Sequence, residues 1–151
     1  MSTLDASLAT AHAEVKAEIA RTDGKASLLL AFIGAVLAGV GTVVSDAHLP
    51  VPVYVVGGVG VLLLVVAADL LLRGVRPNLG GATPTGFPLW ARLTADEIRA
   101  VLAEDRRGED IENLSRIAMD KFAALQRAID VTRAAGALLV VAAGMAVGGA
   151  L

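Results

Sequence analysis

Residues 21–44 read RTDGKASLLLAFIGAVLAGVGTVV, and the change of character inside this stretch decides the fold. It opens on charged and polar residues, then runs from Ala26 to Ser45 without a formal charge. About twenty residues at helical rise span about 30 Å, the thickness of a bilayer's hydrocarbon core. A secretory signal has a short basic start, roughly 7–15 apolar residues and a small-residue cleavage site. Here a mixed-charge segment carrying Asp5, Glu14, Glu18 and Asp23 comes first, and the apolar run is too long. The stretch therefore reads as a retained membrane span.

Two further apolar blocks extend that reading. Of 151 residues, 56% are hydrophobic, above the share expected of a soluble domain, and the excess collects in three places. The first span is 26–45 and the second 51–72, interrupted only by Asp69 near its end. The third is 134–151. The expected class is all-α, a membrane protein with three transmembrane helices. A net charge of −2 gives no sign of nucleic-acid binding, and the absence of cysteine excludes disulfides, thiolate metal sites and a cysteine nucleophile.

Charge distribution predicts orientation. Lys16, Arg21 and Lys25 precede the first span, and every other Lys and Arg lies between the second and third. The outer loop 46–50 and the third span carry none. The positive-inside rule then places segments 1–25 and 73–133 in the cytoplasm and the C-terminus outside, in the inner (plasma) membrane.

The cytoplasmic segments carry helical periodicity. Leu4, Leu8, Ala11, Val15 and Ile19 recur at three- and four-residue steps and lead without a break into the first span. After the Gly- and Pro-rich stretch RPNLGGATPTGFPLW, a loop, Thr94 and Glu97 have the spacing of a capping box that opens a short helix, with Gly108 expected to end it. Phe87 and Trp90 suit either the headgroup layer or packing on the helices. Ile111, Leu114, Ala118, Phe122, Leu125 and Ile129 then predict a helix running into the third span. Two spans are thus extended by cytoplasmic amphipathic helices into a helical bundle, whose apolar stripes need each other or neighbouring copies.

Few residues carry pointed chemistry. Asp23 and Lys25 lie just below the first span, and Asp130 and Arg133 just below the third. Pairs such as Asp23–Arg133 and Lys25–Asp130 would fix the two helices at the surface; ordinary solvated charges are the plainer expectation. Asp69 inside an apolar block suggests a pore-lining or proton-sensing carboxylate, or else a local pair with Arg73 one turn on. Arg106 and Arg107 could meet a phosphate, but they better fit the last turn of a helix that Gly108 would cap. Gly144–Gly148, GMAVG, permits close helix approach, as do Ala31, Ala35 and Gly39. His12 and His48 fall on opposite sides of the membrane. No phosphate-cradling loop, HExxH or nucleophile elbow occurs, so no enzyme and no metal or cofactor site is expected.

The stretch TDGKASLLL resembles the D-x-K-A signature of the Pycsar effector membrane family (PycTM). FPLWARLTADEIRAVL resembles that family's middle segment, and LSRIAMDKFAALQRAI its helix before the last span, with a Lys-aromatic pair. The resemblance covers nearly the whole chain in order. It implies antiphage defence, in which a cyclase answers infection with cyclic CMP or cyclic UMP and the effector impairs the inner membrane. Some members carry a separate cyclic-nucleotide-binding domain, for which this chain has no room; either its own helices or a nucleotide-sensing partner would receive the signal. Three helices do not enclose a pore alone, so a homo-oligomer in the lipid bilayer is implied. A non-conducting anchor or scaffold for a cytoplasmic partner is the alternative, and a small transporter subunit a third reading, disfavoured by the lack of inverted repeats.

Overall fold

The computed structural model describes residues 3–46, 49–75 and 87–148, apart from the side chains of Asp46 and Phe87. His48, the 76–86 part of the expected loop, the Phe87 side chain and the end of the third span at 149–151 lie outside the described residues. Five helices occur in order: α1 (Thr3–Asp46), α2 (Val51–Val75), α3 (Phe87–Trp90), α4 (Ala95–Ala103) and α5 (Arg107–Gly148). No strand occurs among the described residues, and α1, α2 and α5 are long and apolar enough to cross a membrane. The chain is an all-α membrane protein.

Local chemistry sets most helix ends. Pro50 O accepts from the Val53 and Tyr54 amides to open α2, and Pro52 sits in the first turn, where its missing N–H costs nothing. Thr94 and Glu97 form the reciprocal capping box of α4: the Thr94 hydroxyl accepts from Glu97 N, and Glu97 accepts from Thr94 N at 2.8 Å. α4 stops at Ala103, with Glu104 turning into extended backbone. Gly108 does not end that helix, as its sequence context suggested. It lies in the first turn of α5, because Asp105, Glu109 and Asp110 supply the negative charge that a helix start favours, and Asp105 accepts from Arg107 N. Gly24 and Gly136 interrupt neither long helix.

The chain divides into two compact units. The first comprises Met1–Arg21 and Arg76–Asp120, the second Thr22–Val75 and Lys121–Leu151. Within the first, Leu8, Ala11, Val15 and Ile19 of α1 and Ile111 and Leu114 of α5 are half-buried, and Ala118 is buried. Leu4 remains exposed.

The second unit packs α1, α2 and α5 around small side chains. Its core holds Ala26, Ile33, Leu64, Ala67, Leu71, Leu125, Ala128 and Ala135. Ala67, Ala128 and Ala135 are completely enclosed. Alanine at the contact lets helix backbones approach closely, which is how helices associate where lipid removes the hydrophobic drive between them. Gly60 takes this furthest: a Cβ there would lie 3.0 Å from Leu139 Cγ and 3.3 Å from Ala135 O. Outward, Leu28, Phe32, Val55, Leu62, Leu72 and Val140 are exposed. Such a surface is disfavoured in water and suits a bilayer.

Candidate functional site

Buried positions on α5 follow steps of three and four through Leu125, Ala128, Thr132, Ala135, Leu139 and Ala142, all buried or half-buried. That spacing is the seam of a coiled coil. One position in the same series is charged. Lys121, a turn before Leu125, is only 20% exposed at its side chain. Thr22, Ala26, Leu29 and Ile33 make the matching seam on α1, and Asp23 sits beside buried Thr22.

These two charged residues meet. Lys121 Nζ donates to both carboxylate oxygens of Asp23, at 2.6 and 2.8 Å. A lysine on an apolar seam loses part of its hydration, and the bidentate carboxylate replaces it. A charged pair at a seam position also rejects neighbouring registers, since a slip of one turn would leave the ammonium facing apolar side chains. Asp23 belongs to TDGK and Lys121 to DKF, two stretches almost a hundred residues apart in the chain.

The other charges flagged in the sequence are arranged differently. Asp23 does not pair with Arg133, nor Lys25 with Asp130. Within the second unit α5 meets α1 at Lys121, three turns before its uncharged run begins, so residues equally close to an apolar run are not at equal depth. Lys25, Asp130 and Arg133 are exposed and have no ion pair among the described residues. Asp69 pairs with Arg73 at 2.7 Å along the same helix.

In the first unit, Arg107 is tied to α1. Its guanidinium donates to Asp5 O at 3.1 Å, to the Asp5 carboxylate at 2.9 Å and to both oxygens of Asp105. These hydrogen bonds to Arg107 hold the Asp105 carboxyl down at about 2, and Asp105 and then Asp5 raise Arg107 above the usual guanidinium range. Arg106 donates two bonds to Glu109, which raises it likewise. Both arginines border a cleft of about 400 Å³ with Trp90, Leu102 and four carboxylates, Glu104, Asp105, Glu109 and Asp110. Carboxylates already accept from both guanidinium groups, and their excess disfavours a further anion there.

The second unit also holds an apolar groove of about 650 Å³ between Val36, Val40, Tyr54, Gly57, Leu139 and Ala142. No charged side chain lines it. Among the described residues no three His, Asp or Glu gather as a metal site.

Sequence reasoning missed the Asp23–Lys121 and Asp5–Arg107 contacts. The first had a signal, a lysine at a position where the three-four spacing demands an apolar residue. No curated protein and no solved structure matches the chain. Residues 7–148 match the Pycsar effector protein domain (PycTM), nearly the full length of the chain, so this protein belongs to that family of membrane effectors and is a Pycsar antiphage effector.

Proposed function

We propose that the protein oligomerises in the inner membrane and impairs it in response to a cyclic pyrimidine nucleotide signal, cyclic CMP or cyclic UMP. The N-terminus and segment 73–133 lie in the cytoplasm and the C-terminus outside. All Lys and Arg precede the first span or follow the second and precede the third, as the positive-inside rule requires for that orientation.

The observation that carries this reading is the Asp23–Lys121 pair on two helices that are each continuous, Thr3–Asp46 and Arg107–Gly148. Both helices are continuous through the pair, so a displacement that reaches Asp23 or Lys121 would strain or break the pair and shift the membrane-embedded seam. Two packings separated by one charged contact make a two-state element that a signal can bias.

The signal reaches this element through a nucleotide-sensing partner. Support for that step is the acidic excess around Arg106 and Arg107, a poor setting for a nucleotide phosphate. A non-conducting anchor for a cytoplasmic partner is the competing reading.

Dye leakage from liposomes containing the purified protein tests the proposal, with cyclic CMP, with cyclic UMP and with neither. Intact liposomes with and without either nucleotide, with assembled protein verified in the membrane, fit the partner step, and dye entry into cells that also hold a pyrimidine cyclase and the sensing partner then separates the effector from the anchor. Ligand-dependent leakage from the chain alone would overturn the partner step. Sealed membranes in those cells would leave the anchor.

A further inference from the structure

Contacts within the second unit fix which residues of its three helices share a level. At one end, Thr22 and Ala26 of α1 border the same crevice as Gly74 of α2 and Ala124 of α5. At the other, Val40 of α1 borders one groove with Gly57 of α2 and Ala142 of α5. A Cβ on Gly74 would lie 3.7 Å from Ala124 Cβ, and one on Gly57 would lie 3.7 Å from Ala142 Cβ. So α1 and α5 run parallel, with α2 antiparallel to both.

Counted from these levels, charge stops at a different height on each helix. On α1 the last charge before the outer loop is Lys25, level with the crevice. On α2 it is Asp69, five residues or about 7 Å past Gly74. On α5 it is Arg133, nine residues or about 13 Å past Ala124. Going back from the groove gives the same order: fifteen residues from Val40 to Lys25, twelve from Gly57 to Asp69 and nine from Ala142 to Arg133. Charge on α5 thus reaches about 9–13 Å further into the span than charge on α1.

The exposed surfaces differ accordingly. Over these heights α1 shows Leu28, 74% exposed, and Phe32, 57% exposed. On α2 the exposed Asp69–Arg73 pair gives way to exposed Val65 and Val66. On α5, Arg127, Asp130 and Arg133 are exposed, and none has an ion pair among the described residues. Hydrocarbon satisfies Leu28 and Phe32 and penalises the α5 charges. A tilt of about 20°, ordinary for membrane helices, offsets neighbours about 9 Å apart by only about 3 Å. Arg133 can bend back toward water, but the Asp130 side chain is too short to do so. Roughly 6 Å or more is left for the lipid to absorb.

We propose that this chain thins the bilayer on one side. Along α5, headgroups of the leaflet nearest Lys25 and Arg73 are drawn inward to Arg127, Asp130 and Arg133, while along α1 hydrocarbon extends out to Leu28. Lipid phosphate supplies the anion that the two arginines lack, and headgroup water hydrates Asp130. The Asp69–Arg73 pair lies on the slope between the two sides. A second copy in the same orientation would instead set these charges against their like at equal depth. Past Arg133, α5 offers Ala134–Gly148 as uncharged helix, about 22 Å against a hydrocarbon core of about 30 Å. The inference concerns only the spans, so it holds for an effector and for an anchor alike.

The chain has no cysteine, so a single nitroxide label can be attached at Leu28→Cys or Phe32→Cys on α1, or at Ile129→Cys or Ala134→Cys on α5, with every charge kept. The full chain is placed in vesicles of phosphatidylcholine and phosphatidylglycerol, and label depth is read from collisions with oxygen and with a water-soluble nickel complex. The α5 labels are expected at least about 5 Å shallower than the α1 labels, although the fold sets Ala134 no nearer the surface than Phe32. Arg127→Leu, Asp130→Leu and Arg133→Leu together should move the Ala134 label deeper by about the same amount. Equal depths on the two helices would overturn the inference, as would a Phe32 label open to the nickel complex. So would an Ala134 label shielded from both probes, which would show protein covering that face, or one whose depth ignores the triple change.

Discussion

Two ion pairs join α1 to α5, and they are built differently. In the first unit, Arg107 holds Asp5 and Asp105 together, with side chains about one-third to one-half exposed. In the second, Lys121 has Asp23 alone and is more enclosed. The first contact is redundant: remove the Asp5 carboxylate and the guanidinium still donates to the Asp5 carbonyl on α1 and to Asp105. The second is not. A shared helix pair thus has a forgiving attachment where it meets water and a demanding one at the start of its membrane seam.

The sharpest way to break this contrast is at Lys121. Asp23→Ala leaves an ammonium on the seam without a counter-charge. We expect a loss of about 2–3 kcal/mol, below the cost of orphaning a fully buried charge because Asp23 is partly hydrated. Thermal unfolding in detergent micelles measures it, and the double exchange Asp23→Lys with Lys121→Asp should recover most of the loss. A smaller effect is expected from Gly60→Val, which forces Leu139 and Ala135 aside, at a cost of about 1–2 kcal/mol by overpacking. Gly144→Val, with open space around it, should leave the monomer's unfolding temperature unchanged.

Asp5→Ala completes the comparison from the other side. With Asp105 still bound to Arg107, the expected loss is below about 1 kcal/mol, in the range of exposed pairs. A loss equal to that of Asp23→Ala would erase the distinction between the two attachments. The smallest effect concerns pH. Arg107 lowers Asp105 from 3.8 to about 2, so the stability contributed by this carboxylate is complete above about pH 4 and lost as pH falls through about 2. Asp105→Asn should flatten that acid slope in a pH series of unfolding midpoints, with little change near neutrality.

The parts of this fold that hydropathy encodes were legible: three apolar runs, two periodic stripes, and the Thr94–Glu97 capping box. Register was not. Asp23 and Arg133 look equivalent because each lies just before an uncharged run, yet the packing of Ala26, Ala67, Ala128 and Ala135 sets the register, and it places Lys121 rather than Arg133 beside Asp23. Apolar runs report what lipid tolerates; small side chains at the contact decide how helices slide past one another. The Arg106–Arg107 segment misled for a related reason. Basic residues before a glycine resemble a helix end, but the flanking Asp105, Glu109 and Asp110 mark a helix start, and the longer helix claimed the segment. Lys121 could have been singled out from the three-four spacing alone, as the one charge on an otherwise apolar seam.

The most direct test of the account is entry of a membrane-impermeant dye into bacteria expressing four forms of the chain, unaltered, Asp23→Lys, Lys121→Asp and the two together, each with and without a pyrimidine cyclase and the nucleotide-sensing partner. The account predicts uptake by the unaltered chain and by the double exchange only when cyclase and partner are present, and uptake by each single change, which already breaks the pair, without them. Single variants that stay sealed without the signal would contradict it, as would an unaltered chain that leaves the membrane sealed with cyclase and partner present.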